Sequence, residues 1–278
     1  MDDKFLIEYI KRPETPFNMP VKHYHDMYEI YYLINGERFY FVQNRAYHVK
    51  KGDIVLIDKN LLHKTNTTNK HAHERILLLF EKGLLDNFVS ESTDLYYCFH
   101  SKQNVYSLDP DEQLWVENLL FTMMKENKKK NKWYQSYIKV LIMELIILLN
   151  RISSSKTHFT DTYPDQIHEK ISEIARFINS NYNDSLSLKR VAKIFNYSPT
   201  YLSKTFKEVT GFNFVEYKNN VRIKEASKLL LNSKLNITEI ASRTGYNNLT
   251  HFGRIFKKIT GYSPLEYKKT KGDTMSFR

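Results

Sequence analysis

Two sets of residues in this sequence have types and spacings that can do chemistry. The first is His23-Tyr24-His25 followed by Glu29, an HxHxxxE pattern with Gly36 downstream. Residues 23, 25 and 29 share parity, so on a β-strand all three side chains emerge on one face. With His63, which sits eleven residues after Gly52, they make three imidazoles and a carboxylate. That donor set suits Fe, Mn, Ni or Zn. The same groups, joined by Tyr31, Arg38 and Tyr40, also supply the few convergent hydrogen-bonding groups of a small-molecule cavity. Aromatic faces beside donors would suit a sugar. A third reading is that His and Glu only satisfy one another inside a barrel. We favour a ligand cavity made by His23, His25, Glu29, Tyr31, Arg38, Tyr40 and His63, with no catalytic residue, metal or cofactor assigned.

The second set is duplicated. Val191–Tyr197 aligns with Ile240–Tyr246, 49 positions later, and Leu202–Lys207 with Phe252–Lys257, 50 later. Thr210-Gly211 returns as Thr260-Gly261 and Glu216-Tyr217 as Glu266-Tyr267. So many ordered matches mark a true repeat. Each copy has the grammar of a helix-turn-helix, with a first apolar stripe (Leu188, Val191, Ala192, Phe195; then Ile237, Ile240, Ala241) and a turn residue that tolerates the left-handed conformation, Asn196 or Gly245. Ser198-Pro199 reads as an N-cap followed by proline at the first helical position. In each second helix, Leu202, Phe206 and Val209, or Phe252, Phe256 and Ile259, face inward. At the complementary i, i+3, i+4, i+7 positions stand Thr200, Ser203, Lys204 and Lys207, then Thr250, Gly253, Arg254 and Lys257. Hydroxyls and cations with almost no acid suit a major groove, where Arg or Lys donates to guanine and lysines meet phosphate.

These side chains need elements to hold them. From Val21 to about Leu79, runs rich in Tyr, Val, Ile and Phe are broken at Asn35-Gly36, Gln43-Asn44 and Lys51-Gly52-Asp53, which predicts short antiparallel strands in a barrel or sandwich. Asn35-Gly36 reads as a hairpin tip. Between Pro110 and Ile152 the apolar spacing becomes helical: Leu114, Val116, Leu119, Leu120, Met123 and Met124, then Ile138, Leu141, Ile142, Leu145, Ile146 and Leu149. This predicts a helical hairpin over 106–155. Ser153 to Pro164 reads as a linker. Val215, Val221, Ala226, Leu229 and Leu230 mark a helix joining the two repeats, from about Phe214 to Leu231. His71-Ala72-His73 and Lys128–Lys130 read as solvated loops, and Cys98 as a buried structural thiol.

Charge points to the same end of the chain. Residues 1–164 carry 22 Lys+Arg against 21 Asp+Glu, and residues 165–278 carry 20 against 10, so the net +11 belongs almost wholly to the repeats. Such an excess implies a polyanionic partner. One cysteine excludes an intramolecular disulfide framework and fits a reducing compartment. The start Met1-Asp2-Asp3 lacks the basic and apolar regions of a secretory leader, and Val140–Leu149 is too short to span a bilayer, so a cytoplasmic protein is expected.

The stretch from about Gln166 to Lys269 resembles the DNA-binding domain of the AraC/XylS family of bacterial transcription regulators. The likeness is carried by Ile240-Ala241, Gly245-Tyr246, Phe252, Arg254–Lys257, Gly261–Pro264 and Glu266-Tyr267. It implies two reading heads joined by a helix, binding asymmetric promoter sites in double-stranded DNA. By that resemblance the base readers are Thr200, Ser203 and Lys204 in one head and Thr250, His251 and Arg254 in the other. Asn196 stands where the family often has Gly. The first hundred residues resemble the cupin barrel that such regulators use as a sensor. Phe17 departs from its usual Gly, and Asp58-Lys59-Asn60 from its usual Pro-x-Gly.

The expected fold is α+β and multidomain. A cupin-like antiparallel β-barrel over 1–105 is followed by a helical hairpin over 106–155 that supplies dimerisation, a linker over 156–165, and an all-α double helix-turn-helix domain over 166–278. The expected protein is a ligand-controlled, sequence-specific DNA-binding regulator and not an enzyme. Its expected partners are DNA, a small molecule such as a sugar, a second copy of itself and, by the family's leaning to activation, RNA polymerase. Two rivals are a metal-dependent cupin enzyme tethered to DNA and a ligand-independent architectural protein.

Overall fold

The structure, a computed structural model, describes residues 4–13, 26–59, 61–67, 72–85, 94–101, 103–155 and 163–272. These form two compact units, the first drawn mainly from residues up to 164 and the second mainly from residue 165 onward.

The first unit holds β1 (Phe5–Arg12), β2 (Tyr28–Asn35), β3 (Glu37–Val42), β4 (Arg45–Lys50, from Tyr47 onward), β5 (Asp53–Ile57), β6 (His63–Thr67), β7 (His73–Phe80) and β8 (Val105–Ser107). One sheet has the order β1-β7-β2-β5-β8, the other β4-β3-β6. β2 shows why the larger sheet is central. Tyr28 through Leu33 are all buried, so neither face of the strand meets water. Tyr28, Ile30 and Tyr32 pack with Ile54, Leu56, Ile76, Leu78 and Phe80 beneath helices. Tyr31 and Leu33, of opposite parity, pack with Tyr40, Val42, Val49, Val55 and Ile57 between the sheets.

Asn35-Gly36 is not a hairpin tip. β2 pairs with β5 and β7, whereas β3 pairs with β4 and β6, so this dipeptide carries the chain from one sheet to the other. Gly36 has φ +89°, and an added Cβ would lie 2.5 Å from the Ala72 carbonyl oxygen. Turn residues report a local reversal, but which strand accepts the partner is a matter of tertiary packing. β1 and β8 lie outside the Val21–Leu79 stretch from which strands were expected.

Helices α2 (Pro110–Lys129) and α3 (Tyr134–Ser155) form the expected hairpin. Asp109 caps α2 in a reciprocal capping box with Glu112, and Pro110 takes the first helical position. Val116, Leu119, Leu120 and Met123, with Ile138, Leu141, Ile142, Leu145, Ile146 and Leu149, join the core under the larger sheet. The hairpin is therefore part of the first unit's core. Tyr32 ties it further by donating to Glu117 Oε1 at 2.7 Å. Leu114, counted in the apolar stripe, is 61 % exposed. Ser153 to Ser155 continue α3 beyond the buried Ile152, and Ser154 and Ser155 satisfy their hydroxyls within the helix by donating to the carbonyls of Asn150 and Ile152. The remainder of the expected linker, 156–162, lies outside the described residues.

His73 is buried at the start of β7, paired with Arg12 of β1, and so is no solvated loop residue; His71 lies outside the described residues. Cys98 is buried in the single-turn α1 (Tyr97–His100), and burial pushes its thiol up to about 12, which leaves no reactive thiolate.

The second unit is helical: α4 (Gln166–Ser180), α5 (Leu188–Ile194), α6 (Pro199–Thr210), α7 (Phe214–Asn232), α8 (Ile237–Arg243), α9 (Leu249–Thr260) and α10 (Pro264–Gly272). The sequence repeat becomes a structural one. α5 and α8 are seven residues each, α6 and α9 twelve. Tyr197 N–H donates to the Ala192 carbonyl as Tyr246 N–H does to that of Ala241. Thr210 and Thr260 each return a hydroxyl to a carbonyl four residues back. Phe206 meets Tyr217 edge-on at 5.3 Å, and Phe256 meets Tyr267 at 5.4 Å.

Candidate nucleic-acid interface and ligand site

Local chemistry builds each reading helix. Ser198 accepts from Tyr201 N–H and Asn248 from His251 N–H, satisfying donors that a helix start leaves free. Asn196 (φ 59°) and Gly245 (φ 81°) adopt the left-handed conformation expected of the two turns. Gly211 and Gly261 end α6 and α9 in the same conformation. Leu202, Phe206, Phe252 and Phe256 are fully buried, which turns the opposite face outward. On that face Thr200, Lys204 and Lys207, and Thr250, His251, Arg254 and Lys257, are exposed; Ser203 and Gly253 are half-buried. Ile259, expected inward, is only partly buried. An added Cβ on Gly253 would meet nothing, so the fold does not itself require glycine there.

α7 joins the heads as expected, with 19 residues giving a rod of roughly 28 Å. Its buried face differs from the expected one: Val215 is 58 % exposed, and Phe214, Tyr217, Ile223, Ala226 and Leu230 are buried. The first turn is held by Phe214 and Tyr217 because aromatic contacts with Phe206 outweigh the smaller valine.

Sequence reasoning missed Arg222. Its Nε donates to the Tyr182 carbonyl at 2.7 Å, Nη2 to that of Asp184 at 2.9 Å and Nη1 to that of Gly245 at 2.7 Å. The guanidinium also lies 5.3 Å from the Tyr246 ring centre. One side chain thus connects the segment leading into the first head with the turn of the second. A Cβ on Gly245 would come 2.5 Å from Arg222 Nη2, so that turn needs glycine for space as well as for its φ. The missing signal was a single Arg in the apolar register of α7, between Tyr217 and Ala226.

In the first unit, strand parity delivers Glu29, Tyr31, Arg38, Tyr40 and His63 to buried positions. Tyr40 donates to Glu29 Oε1 at 2.8 Å, and His63 Nε2 lies 3.3 Å from Glu29 Oε2. His63 Nδ1 is 2.8 Å from the Leu61 carbonyl oxygen. Tyr31 meets Tyr40 edge-on at 5.2 Å. Burial and the neighbouring Glu29 hold the Tyr40 phenol well above its ordinary range, so it stays a donor. Arg75 of β7, not anticipated, is buried with its guanidinium 5.3 Å from the Tyr31 ring centre. Its signal was parity with Leu77, whose side chain packs against the same inter-sheet core.

His23 and His25 lie outside the described residues. Among the described residues no group of three or more His, Cys, Asp or Glu converges as a metal site. Glu29 and His63 face each other, and Glu29 also accepts from Tyr40, an arrangement that fits a hydrogen-bonded polar pair. No helix among the described residues is long and apolar enough to cross a membrane.

Residues 7–146 match the model of the AraC-like ligand binding domain, and residues 191–270 match a helix-turn-helix domain. The chain is 25 % identical over 246 residues to the HTH-type transcriptional activator RhaS of Salmonella arizonae, covering 86 % of this chain and 84 % of that protein. Among solved structures, the C-terminal domain of AraT, a response regulator from Geobacillus stearothermophilus, is 34 % identical with a TM-score of 0.37, over 38 % of this chain and 88 % of that one. ToxT from Vibrio cholerae is 14 % identical with a TM-score of 0.36, over 95 % of this chain and 98 % of the other. The exposed duplicated helices and the buried polar interior therefore sit in the two domains that the matches delimit, and the chain belongs to the AraC family of transcription regulators, with an N-terminal ligand-binding domain and a C-terminal helix-turn-helix domain.

Proposed function

We propose that the protein is a cytoplasmic, non-enzymatic transcription activator that reads DNA through Thr200, Ser203, Lys204 and Lys207 of α6 and Thr250, His251, Arg254 and Lys257 of α9. The observation that carries this is the outward, acid-poor face shared by two helices of equal length and equal capping. Of the residues of α6 and α9 only Glu208 is an acid, in a loose 3.9 Å exposed pair with Lys204. Arg254 and Lys204 are the candidates for guanine contacts, and Lys207 and Lys257 for phosphate.

Control is exerted by a small molecule in the interior lined by Glu29, Tyr31, Arg38, Tyr40 and His63, with His23 and His25 as further candidates. The ligand acts through its differential affinity for two arrangements of the chain. The residues 1–105, 106–155, 156–165 and 166–278 serve as sensor, dimerisation hairpin, linker and reader. Leu114, Trp115, Phe121, Val140 and Ile147 stay exposed on α2 and α3, and Trp115, Val140 and Ile147 edge a groove of about 340 Å³, which supports self-association through the hairpin. An activator at paired sites has RNA polymerase as its further partner. RhaS is named an activator, which agrees with this reading.

Selection of bound duplexes from a randomised pool at physiological salt tests the reader. The expected result is an asymmetric motif with two elements about one turn, ~34 Å, apart. Arg254→Ala should then cost ~1–3 kcal/mol on that motif and relax one base position. Equal loss on random DNA would make Arg254 a phosphate contact, and no enriched motif would leave the basic half an electrostatic anchor.

A further inference from the structure

The interior of the first unit segregates its charges. Glu29 and Leu33 lie on one face of β2, four residues and roughly 13 Å apart along the strand. Leu79 of β7 stands opposite Glu29 and Arg75 opposite Leu33. At the Glu29 end, Tyr40 takes one carboxylate oxygen and His63 faces the other. At the opposite end are two guanidiniums, Arg38 with no exposed surface and Arg75 at 4 % exposure. Tyr31 adjoins both, and burial, with Arg75 near enough for its charge to be felt, lowers the Arg38 pKa. Among the described residues no carboxylate lies within ion-pair distance of Arg75, and its Nε and Nη1 meet no hydrogen-bond acceptor.

A buried guanidinium cannot relieve itself by losing its proton. Left without a counter-charge in a desolvated interior it destabilises the fold, because contact with an aromatic face returns only part of its lost hydration. The planar fork matches the two oxygens of a carboxylate or phosphate. A neutral sugar could accept its hydrogen bonds but would leave the Arg75 charge uncompensated, and the Arg38 guanidinium adds a second positive charge within range of it. Glu29, the carboxylate on this face of β2, is engaged at its own end by Tyr40 and His63.

Taking the interior as the ligand site proposed above, we infer that its ligand is a small organic anion whose carboxylate or phosphate group is held by Arg75, beside Tyr31 and within the positive field that Arg38 shares. The rest of the molecule extends along β2 toward Tyr40. This narrows the expected carbohydrate to an acidic or phosphorylated one and extends the class to small carboxylates. Arg75 is thereby the residue that selects anion over neutral molecule.

The test uses the full chain and five probes at matched ionic strength: sodium acetate, inorganic phosphate, glucuronate, glucose 6-phosphate and neutral glucose. Thermal unfolding of the first unit is followed against a sodium chloride control. At least one anion should raise the midpoint of the wild type, the carboxylate and phosphate arms showing which group the site takes. Arg75→Met, which keeps the apolar stem and removes the charge, should lose that rise. In chloride alone the variant should melt no lower than the wild type. Stabilisation by glucose and by no anion would keep the ligand reading and overturn the anionic one. No stabilisation by any probe, or an undiminished anion effect in Arg75→Met, overturns the assignment and leaves the DNA reader untouched. A variant that melts well below the wild type in chloride marks Arg75 as structural and overturns it too.

Discussion

In the first unit Glu29, Arg38, Tyr40, His63 and Arg75 are buried between sheets, whereas in the second Thr200, Lys204, Lys207, Thr250, Arg254 and Lys257 stand in solvent. The residue types overlap, and the physics of the two sets is opposite. Buried polar groups are worth what their partners make them worth, so each must be matched within the interior or by a guest. Exposed cations keep their hydration until a polyanion displaces it, so their contribution is long-ranged and salt-dependent. The proposed small-molecule site thus relies on complementing buried charge, and the proposed DNA-reading face, in the same chain, on presenting surface charge. Arg222 departs from both patterns. It is buried within the second unit and spends its guanidinium on three backbone carbonyls, so it positions the reading helices without facing DNA.

The largest expected effect breaks that positioning. Gly245→Ala places a Cβ where φ is +81° and Arg222 Nη2 is 2.5 Å away. A left-handed alanine costs ~1–2 kcal/mol and disturbing a charge-assisted hydrogen bond ~1.5–3 kcal/mol. Urea unfolding of the full chain should show the second unit's transition destabilised by about 3 kcal/mol or more, with the first unit's transition unmoved. Movement of both transitions together would dissolve the contrast between the units.

A smaller effect is expected inside the first unit. Tyr40→Phe removes the donor to Glu29 Oε1 and leaves a buried carboxylate oxygen without it. The cost should be ~1–3 kcal/mol in the first unit's unfolding, with DNA affinity in the absence of ligand unchanged. A variant as stable as the wild type would show that Glu29 is hydrated.

The smallest is a surface change. Gly253→Ala fills open space on the outward face of α9 and should stabilise that helix by up to ~1 kcal/mol. If the glycine serves close approach of the helix backbone to a base edge, binding to the selected DNA motif should weaken even as stability rises. A gain in both would assign Gly253 no part in reading.

The duplicated helix-turn-helix was legible almost completely, because its determinants are local. Ser198-Pro199, Asn196, Gly245 and the i, i+3, i+4, i+7 spacing act within a turn or two of backbone. The same locality let the Asn35-Gly36 reversal be read while its partner strand was misassigned, since hydrogen-bonded neighbours such as Tyr32 and Ile76 are 44 positions apart in the chain. Ser153–Ser155 misled in the other direction: serine composition suggests a linker, yet α3 runs on through Ser155, with the hydroxyls of Ser154 and Ser155 satisfied by preceding carbonyls.

By itself the sequence determined the charge asymmetry, the repeat, the outward faces of α6 and α9, and the strand parity of the polar set, all of which follow from chain periodicity and composition. Only the tertiary structure decided that Glu29 would be committed to Tyr40 and His63, that Arg75 would face Tyr31 with no carboxylate of the described residues in ion-pair reach, and that Arg222 would clamp three carbonyls. Those outcomes depend on which distant residues occupy the same desolvated volume. Charge pairing in that volume is fixed by neighbours in space, about which the order of residues along a strand says nothing.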